Sequence, residues 1–225
     1  MGAPEASATR RRAAVLISGR GSNLAALIDA CARPDAAAEI ALVISNRPDA
    51  AGIALARTAG IAAEIIDHRR FDAREVFERF LSAALEAHEI SLVCLAGFMR
   101  VLSSWFTERW RDRLLNIHPS LLPAFPGLDT HRRALAAGVR FSGCTVHFVR
   151  AEVDAGPIIV QGVVAVRPDD TPATLAARVL EAEHRCYPLA LELVASGRAR
   201  VQAEKVVLAA ALAPRGLWIN PPPPD

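Results

Sequence analysis

The sequence predicts an α/β fold: a Rossmann-like, doubly wound and mostly parallel sheet in the N-terminal part, with antiparallel strands and a long helix in the C-terminal part. Three observations predict it. Through the first 120 residues, short wholly apolar runs alternate with runs of helical period, and that alternation implies a parallel sheet covered on both faces. Past residue 140 two apolar runs, Cys144–Val149 and Ile158–Val166, follow one another with no helix between them, which predicts an antiparallel pair. An amphipathic stretch from Thr171 to about Ala195 then supplies the long helix.

Each element has a local reason. Ala13–Ser18 reads as a short buried strand, and Gly19-Arg20-Gly21 turns it into a helix over Ser22–Ala32. Ile40–Ser45 is a second strand, followed by a helix over roughly Ala50–Ala59 that Gly60 stops. Ile61–Asp67 is a third strand. The helix after it, Asp72–Ala87, carries Val76, Phe80 and Leu81 on one expected buried face. Leu92–Ala96 is a wholly apolar fourth strand, Ser103–Arg111 a short helix, and Leu114–His118 a fifth strand. Pro119 ends that strand, because it lacks a backbone donor and biases His118 toward extended backbone. Thr171-Pro172 opens the long helix with a cap and a first-turn proline. Its expected buried stripe is Leu175, Val179, Ala182, Cys186, Leu189 and Leu193. Val201 to Leu212 holds one or two edge strands. Residues 1–12 and 214–225 read as disordered tails around a single domain spanning 13–213.

Composition narrows the function classes. Hydrophobic residues make up 52% and charged ones 22%, a globular balance rather than a disordered one. A formal charge of +2 is too small to argue for a nucleic-acid surface. Lys205 is the only lysine, so nearly all cations are arginines; forks of this kind suit carboxylate and phosphate groups, and a GC-rich genome produces the same bias. Cys31, Cys94, Cys144 and Cys186 are isolated from one another, which argues against a zinc site and for a reducing compartment. No apolar run approaches the length of a membrane span, and Ala13–Ser18 is too short for a signal-peptide core. The expected location is cytoplasmic.

The densest chemistry lies in Asn116-Ile117-His118-Pro119-Ser120-Leu121-Leu122-Pro123. Residues i and i+2 of a strand share a face, so an amide and an imidazole sit side by side while Leu115 and Ile117 anchor the other face. A strand that stops there makes a capped turn more often than a reaction centre. Gly19-Arg20-Gly21-Ser22-Asn23 joins a strand to a helix, the geometry that offers backbone N–H groups to an anion. It is not a dinucleotide fingerprint: Leu24 stands where a third glycine belongs, and Ser45-Asn46 follows the next strand in place of an acid. A tight turn with Ser22 as N-cap explains the same residues.

Other candidates carry two readings each. His68, His88, His131, His147 and His184 compete with His118, with His88 read as a helix-end residue and His147 as a satisfied core histidine. Glu152-Val153-Asp154-Ala155-Gly156-Pro157 is a solvated turn unless Asp154 approaches His118. Glu183 borders the buried stripe of its helix, where it would ordinarily pair with Arg178 or Arg185.

Together the segments VLISGRGSNLAALIDA, ISNRPDAAGIALARTAGI, LVCLAGFMRVLS, LLNIHPSLLPAFPGLDTHRRAL, TVHFVRAEVDAGPIIVQ and ARVLEAEHRCYPLAL resemble the folate-dependent glycinamide ribonucleotide transformylases of purine synthesis, from Ala13 to about Ala199. The resemblance implies the formyltransferase fold and a catalytic trio at Asn116, His118 and Asp154. It implies a ribonucleotide site at Gly21, Ser22 and Asn23 with Leu180, Glu181, Ala182 and Glu183. It implies a folate pocket from Arg74, Met99, Arg100, Val101 and Leu102, then Asn116, and then Arg150, Ala151, Glu152, Val153 and Asp154. Three positions depart from familiar forms: Arg20 in the phosphate loop, Asp129 in Pro126-Gly127-Leu128-Asp129-Thr130-His131, and Leu180 near the substrate.

The implied reaction moves the formyl group of 10-formyltetrahydrofolate, a cosubstrate consumed each turnover, to the amine of glycinamide ribonucleotide. Asn116 and His118 would serve the developing oxyanion, and Asp154 the proton transfer. The partners implied are small molecules, with no metal, nucleic acid or membrane, and a monomer or homodimer. Methionyl-tRNA formyltransferase and formyltetrahydrofolate hydrolase share the Asn-His-Asp core. They add a C-terminal and an N-terminal domain respectively, for which about thirty residues after the last helix and about twelve before the first strand leave little room. A non-enzymatic nucleotide-binding module is the third alternative, and it gives the trio no reason to occur together.

Overall fold

The computed structural model describes residues 10–209. Seven strands form one sheet in the order β3-β2-β1-β4-β5-β6-β7, and a two-stranded ribbon, β8-β9, stands apart. The strands are β1 (Arg11–Ile17), β2 (Ala38–Ser45), β3 (Ala62–Ile65), β4 (Leu92–Leu95), β5 (Leu114–His118), β6 (Phe141–Phe148), β7 (Ile158–Ala165), β8 (Ala199–Gln202) and β9 (Lys205–Leu208). The helices are α1 (Ser22–Cys31), α2 (Gly52–Thr58), α3 (Arg74–Ala87), α4 (Ser104–Arg109), α5 (Thr130–Ala136) and α6 (Pro172–Ala195). β1 to β5 pair in parallel, and β6 pairs antiparallel with both neighbours. This is the mixed α/β sheet that the apolar runs predict.

Side chains alternate between two cores. Val15, Ile17, Cys94, Leu115, Ile117 and Val146 face one layer, packed with Leu24 and Leu27 of α1 and with Val179 and Tyr187 of α6. Leu16, Ile44, Val93, Leu95 and Leu114 face the other, packed with Phe77, Leu81, Phe106 and Trp110. Each fully buried side chain of this size contributes about 1.5–3 kcal/mol of transfer free energy, so the sheet is anchored from both sides.

Several expectations are corrected. β1 begins at Arg11, so residues 10–12 do not belong to a disordered tail: Arg10 donates to the carbonyls of Cys31, Arg33 and Pro34, and Arg12 donates to Glu39. Residues 1–9 and 210–225, with the rest of both expected tails and the end of Val201–Leu212, lie outside the described residues. β3 ends at Ile65, and a 3-10 turn, His68–Arg70, follows. α5 was not anticipated at all; it starts from Asp129 in the left-handed conformation. Ser22 is not the cap of α1, because Gly21 occupies that position with φ 82° and no side chain caps the helix.

Two helices bury faces that only partly match the ones apolar counting selects: Leu81 of α3 and Leu175, Val179, Cys186 and Leu193 of α6 are buried as expected, and the others are not. In α3, Val76 is 44% and Phe80 59% exposed, while Phe77, Glu78, Leu81, Ser82 and Leu85 are buried. The polar members of that stripe are satisfied inside: Glu78 accepts from the backbone N and hydroxyl of Ser103, and Ser82 accepts from Trp110 Nε1. In α6, Leu189 is exposed and Ala182 half-buried, whereas Glu183 and Tyr187 turn inward. The Tyr187 hydroxyl lies 3.0 Å from the Leu95 carbonyl and 3.2 Å from that of Leu115, which ties α6 across the ends of β4 and β5. Buried polar groups with partners override the hydrophobic count.

Candidate active site

Strand order reverses between β1 and β4, and ligands of open parallel sheets bind in the crevice outside the strand ends at such a point. Three segments leave the sheet there: Ser18–Asn23 after β1, Ala96–Leu102 after β4, and Pro119–Asp129 after β5.

At the end of the first segment, Gly21 to Asn23 have the geometry that can receive an anion. Gly21 takes φ 82°, where a side chain is strained, and a Cβ on it would approach Gly52 Cα at 2.9 Å. With no side-chain cap on α1, its first-turn amides at Ser22 and Asn23 are offered outward at the positive end of the helix. Asn23 Nδ2 donates to Glu183 Oε2 at 2.7 Å, and Asn23 Oδ1 is buried with no hydrogen-bond partner. Glu183 therefore pairs with an amide and not with Arg178, which pairs with Asp170. Burial pushes the Glu183 carboxyl up, opposed by the Asn23 hydrogen bond. An orphan acceptor beside a buried carboxylate asks for a donor such as an amine or a hydroxyl.

The second constellation sits at the end of β5. Asn116 and His118 project from the same face, and antiparallel pairing sets Asn116 opposite His147 and His118 opposite Thr145. Asp154 reaches the pair from the loop between β6 and β7, its backbone left-handed at φ 57°. That loop is fixed by Gly156, where a Cβ would lie 1.7 Å from the Phe148 carbonyl oxygen. Asp154 Oδ2 stands 3.3 Å from His118 Nδ1 and accepts from the Gly127 backbone N at 2.8 Å. His118 Nε2 lies 3.0 Å from the Phe125 carbonyl oxygen. The ring thus stands between the Asp154 carboxylate at Nδ1 and the Phe125 carbonyl at Nε2.

His147 completes the group. Burial lowers its pKa, with the Asp154 carboxylate opposing and the neighbouring His118 adding to the shift, so the ring is held neutral. Its Nδ1 lies 2.9 Å from the Phe148 carbonyl, which only accepts, and this leaves Nε2 unprotonated. Asn116 Nδ2, 3.3 Å away, donates to that nitrogen. The neutral histidine thereby fixes which way the Asn116 amide points and leaves one Nδ2 hydrogen for a ligand. Sequence reading treated His147 only as a core histidine; its satisfied burial holds, but its place in the site was missed. The antiparallel register of β6 on β5 is the signal that finds it.

The segment after β5 is tied down by β6 and β7. The Thr145 hydroxyl donates to the Ser120 carbonyl at 2.7 Å and accepts from Leu122 N, while Gln161 Nε2 donates to the Leu122 carbonyl and to Thr145. Ser120 Oγ donates to the Ala124 carbonyl at 2.6 Å. These bonds hold the Phe125 carbonyl and the Gly127 amide against His118 and Asp154.

The remaining expected residues surround this centre unevenly. Met99 and Val101 are exposed, Arg74 opens α3 at the surface, and Leu102 is buried. Arg150 is engaged by Asp112 at 2.6 Å and Glu204 at 2.7 Å, so its charge is already matched within the chain. Leu180 and Ala182 are half-buried on α6, and Glu181 is exposed. Among the described residues, no group of three or more His, Cys, Asp or Glu is arranged to hold a metal ion. A hollow of about 710 Å³ between α1 and α6, lined by Ser22, Asp29, His184 and Glu192 among others, includes none of Asn116, His118 and Asp154.

Comparison with known proteins gives the family. The family model described as Formyl transferase matches residues 11–191. The trifunctional purine biosynthetic protein adenosine-3 of Gallus gallus is 52% identical over 190 residues, 84% of this chain and 19% of that protein, so the chain spans about a fifth of that relative's length. The phosphoribosylglycinamide formyltransferase of Escherichia coli (strain K12) is 46% identical over 187 residues, 83% of this chain and 88% of that protein. The crystal structure of glycinamide ribonucleotide transformylase 1 from Symbiobacterium toebii matches with a TM-score of 0.86 at 46% identity, covering 88% of this chain and 94% of that one. The chain belongs to the formyl transferase family.

Proposed function

We propose that this protein is a phosphoribosylglycinamide formyltransferase, which moves the formyl group of 10-formyltetrahydrofolate to the amine of glycinamide ribonucleotide in purine biosynthesis. The observation that carries the reading is the meeting of Asn116, His118 and Asp154 at one strand end, in the crevice that also receives the uncapped end of α1. The ribonucleotide phosphate rests on the amides of Gly21, Ser22 and Asn23, and its amine end reaches Glu183 and the orphan Asn23 Oδ1. The folate lies along Met99–Leu102 and the loop that ends at Asp154, with Arg74 at the rim. The reaction is between two small soluble molecules, and no helix among the described residues is long and apolar enough to cross a membrane.

The chemistry follows from donors and acceptors. The amine nitrogen attacks the formyl carbon, a C–N bond forms, and the carbonyl oxygen takes up negative charge. The spare Nδ2 hydrogen of Asn116 and the Nε2 hydrogen of His118 stabilise that oxygen. In the present structure the Phe125 carbonyl is the acceptor at Nε2, and the formyl oxygen takes its place when cosubstrate binds. Asp154 balances charge on the ring and helps the proton travel from the attacking amine to the folate nitrogen, whose bond to the formyl carbon then breaks. A single missing oxyanion donor ordinarily costs ~10²–10³ in turnover, so Asn116 alone is a measurable contributor.

One assay tests the reading. The protein is incubated with 10-formyltetrahydrofolate and either glycinamide ribonucleotide, initiator methionyl-tRNA or water, and loss of the formyl donor is followed. Rapid loss only with the ribonucleotide is expected. Loss with the tRNA or with water alone would overturn the assignment.

A further inference from the structure

Beyond the trio and the phosphate cradle, the crevice contains a second buried polar group that plays no part in the reaction as derived. Ser18 and Asn46, 7% and 2% exposed, stand just past the ends of β1 and β2. The Ser18 hydroxyl donates to Asn46 Oδ1 at 2.6 Å and accepts from the Met99 backbone N at 2.8 Å, so its donor and one acceptor site are used. The Ser18 backbone N donates to the Gly97 carbonyl at 3.2 Å, a second bond to the same loop. Since Ser18 donates to it, Asn46 Oδ1 is the oxygen and Nδ2 turns to His68, whose Nδ1 lies 3.1 Å from that nitrogen and 3.0 Å from the Asn46 carbonyl. The His68 ring rests edge-on against Phe77, 6.3 Å between centroids.

A hydroxyl and an amide buried at strand ends cost desolvation unless each is bonded. What the bonds achieve here is to clamp the loop after β4 to the ends of β1 and β2. Met99 and Val101 of this loop are 73% and 60% accessible, while Phe98 and Leu102 are buried in the second core. Between those two anchors the loop is tied from beneath through backbone, at the Gly97 carbonyl and the Met99 N–H.

We infer that Ser18 and Asn46 are positioning residues for the formyl donor: braced by His68, they fix the Gly97–Leu102 loop in the form that receives the folate. The inference rests on the functional reading above, since the loop matters only if a folate lies along it. Neither residue touches the reacting atoms, so their loss is felt in cosubstrate binding and not in the chemical step.

The test compares Ser18→Thr with Ser18→Val, two side chains of the same shape that differ by the hydroxyl, alongside Ser18→Ala and Asn46→Ala. KM for 10-formyltetrahydrofolate, KM for glycinamide ribonucleotide, kcat and Tm are measured for each, with tetrahydrofolate Kd from quenching of intrinsic fluorescence. Loss of one such hydrogen bond predicts a roughly three- to tenfold rise in folate KM and Kd for Val over Thr. Ser18→Ala should rise likewise, with kcat and ribonucleotide KM within about twofold, and Asn46→Ala should move in the same direction by less. Equal folate constants for Thr and Val, or a change confined to Tm, would overturn the inference. Wild-type protein that failed to formylate the ribonucleotide would instead remove the functional reading, and the tetrahydrofolate arm would still decide the clamp.

Discussion

At the Gly21 end of the crevice, the groups open to a ligand are backbone amides of a single helix turn, preset by Gly21 and supported by one buried pair, Asn23 with Glu183. At the Asn116–His118 end, every group is a side chain whose orientation depends on a neighbour from another strand or loop: His147 for Asn116, Asp154 and the Phe125 carbonyl for His118. The first end should tolerate side-chain changes and fail when backbone is obstructed. The second should keep its binding when one side chain is altered and lose turnover. Binding and chemistry are thus separable by mutation.

The largest effect short of the trio's aspartate should come from Asn116→Ala. Removing one oxyanion donor should lower kcat by ~10²–10³ while the ribonucleotide KM changes little; steady-state kinetics with both substrates varied read the split. A loss seen only in KM would merge the two ends. Next in size is Gly21→Val. A β-branched side chain at φ 82°, with its Cβ 2.9 Å from Gly52 Cα, strains the cradle. Losing bonds to a charged phosphate group should raise ribonucleotide KM by ~10–100-fold, with folate affinity unchanged. If folate binding collapsed and ribonucleotide binding survived, the loop would be misassigned.

Glu183→Gln sharpens the comparison further. Burial raises the Glu183 carboxyl above its ordinary value, so the folded chain holds that proton more tightly than the unfolded chain does. Stability from this group is present at low pH and lost as pH rises through the raised pKa, and at neutral pH the buried carboxylate is a cost. Glutamine keeps the acceptor for Asn23 and removes the charge. Tm should therefore hold or rise while ribonucleotide binding weakens; a lower Tm with normal kinetics would make Glu183 a structural residue.

The smallest effect concerns His147. Its folded pKa is lowered, chiefly by burial. Between that value and the unfolded one near 6.5, the unfolded chain binds more protons, so stability rises with pH and falls in acid below about 6.5. Replacing it by Gln should flatten the Tm–pH slope between about pH 7 and 5 and lower kcat modestly by freeing the Asn116 amide. An unchanged slope would mean the ring is not held neutral.

How much of this could be read from residues alone follows the same division. The end of Leu114–His118 was bounded because Pro119 lacks the donor to continue the ladder, and Thr171-Pro172 placed the start of α6 for the same kind of local reason. The turn at Gly21 into α1 was legible because one contiguous segment builds it. What stayed hidden depends on tertiary partners. The inward face of α3 follows from Glu78, whose carboxylate accepts from the N–H and hydroxyl of Ser103, 25 residues away. The role of His147 needs the β5–β6 register, and the Phe125 carbonyl acts as a backbone group with no side-chain signature. α5 is a short helix whose N-cap Asp129 sits left-handed and makes no side-chain cap bond, and its seven residues are too few for a clear period. The candidate trio itself came from a family resemblance, since spacing could not bring Asp154 to His118.

The central claim is that His118 and Asp154, 3.3 Å apart, form one proton-transferring unit in a formyl transfer to glycinamide ribonucleotide. The direct measurement is single-turnover formyl transfer by Asp154→Asn beside wild type, with both substrates saturating and binding checked separately. Both substrates should still bind, and the rate should fall by ~10²–10⁴. A near-normal rate in the variant would contradict it.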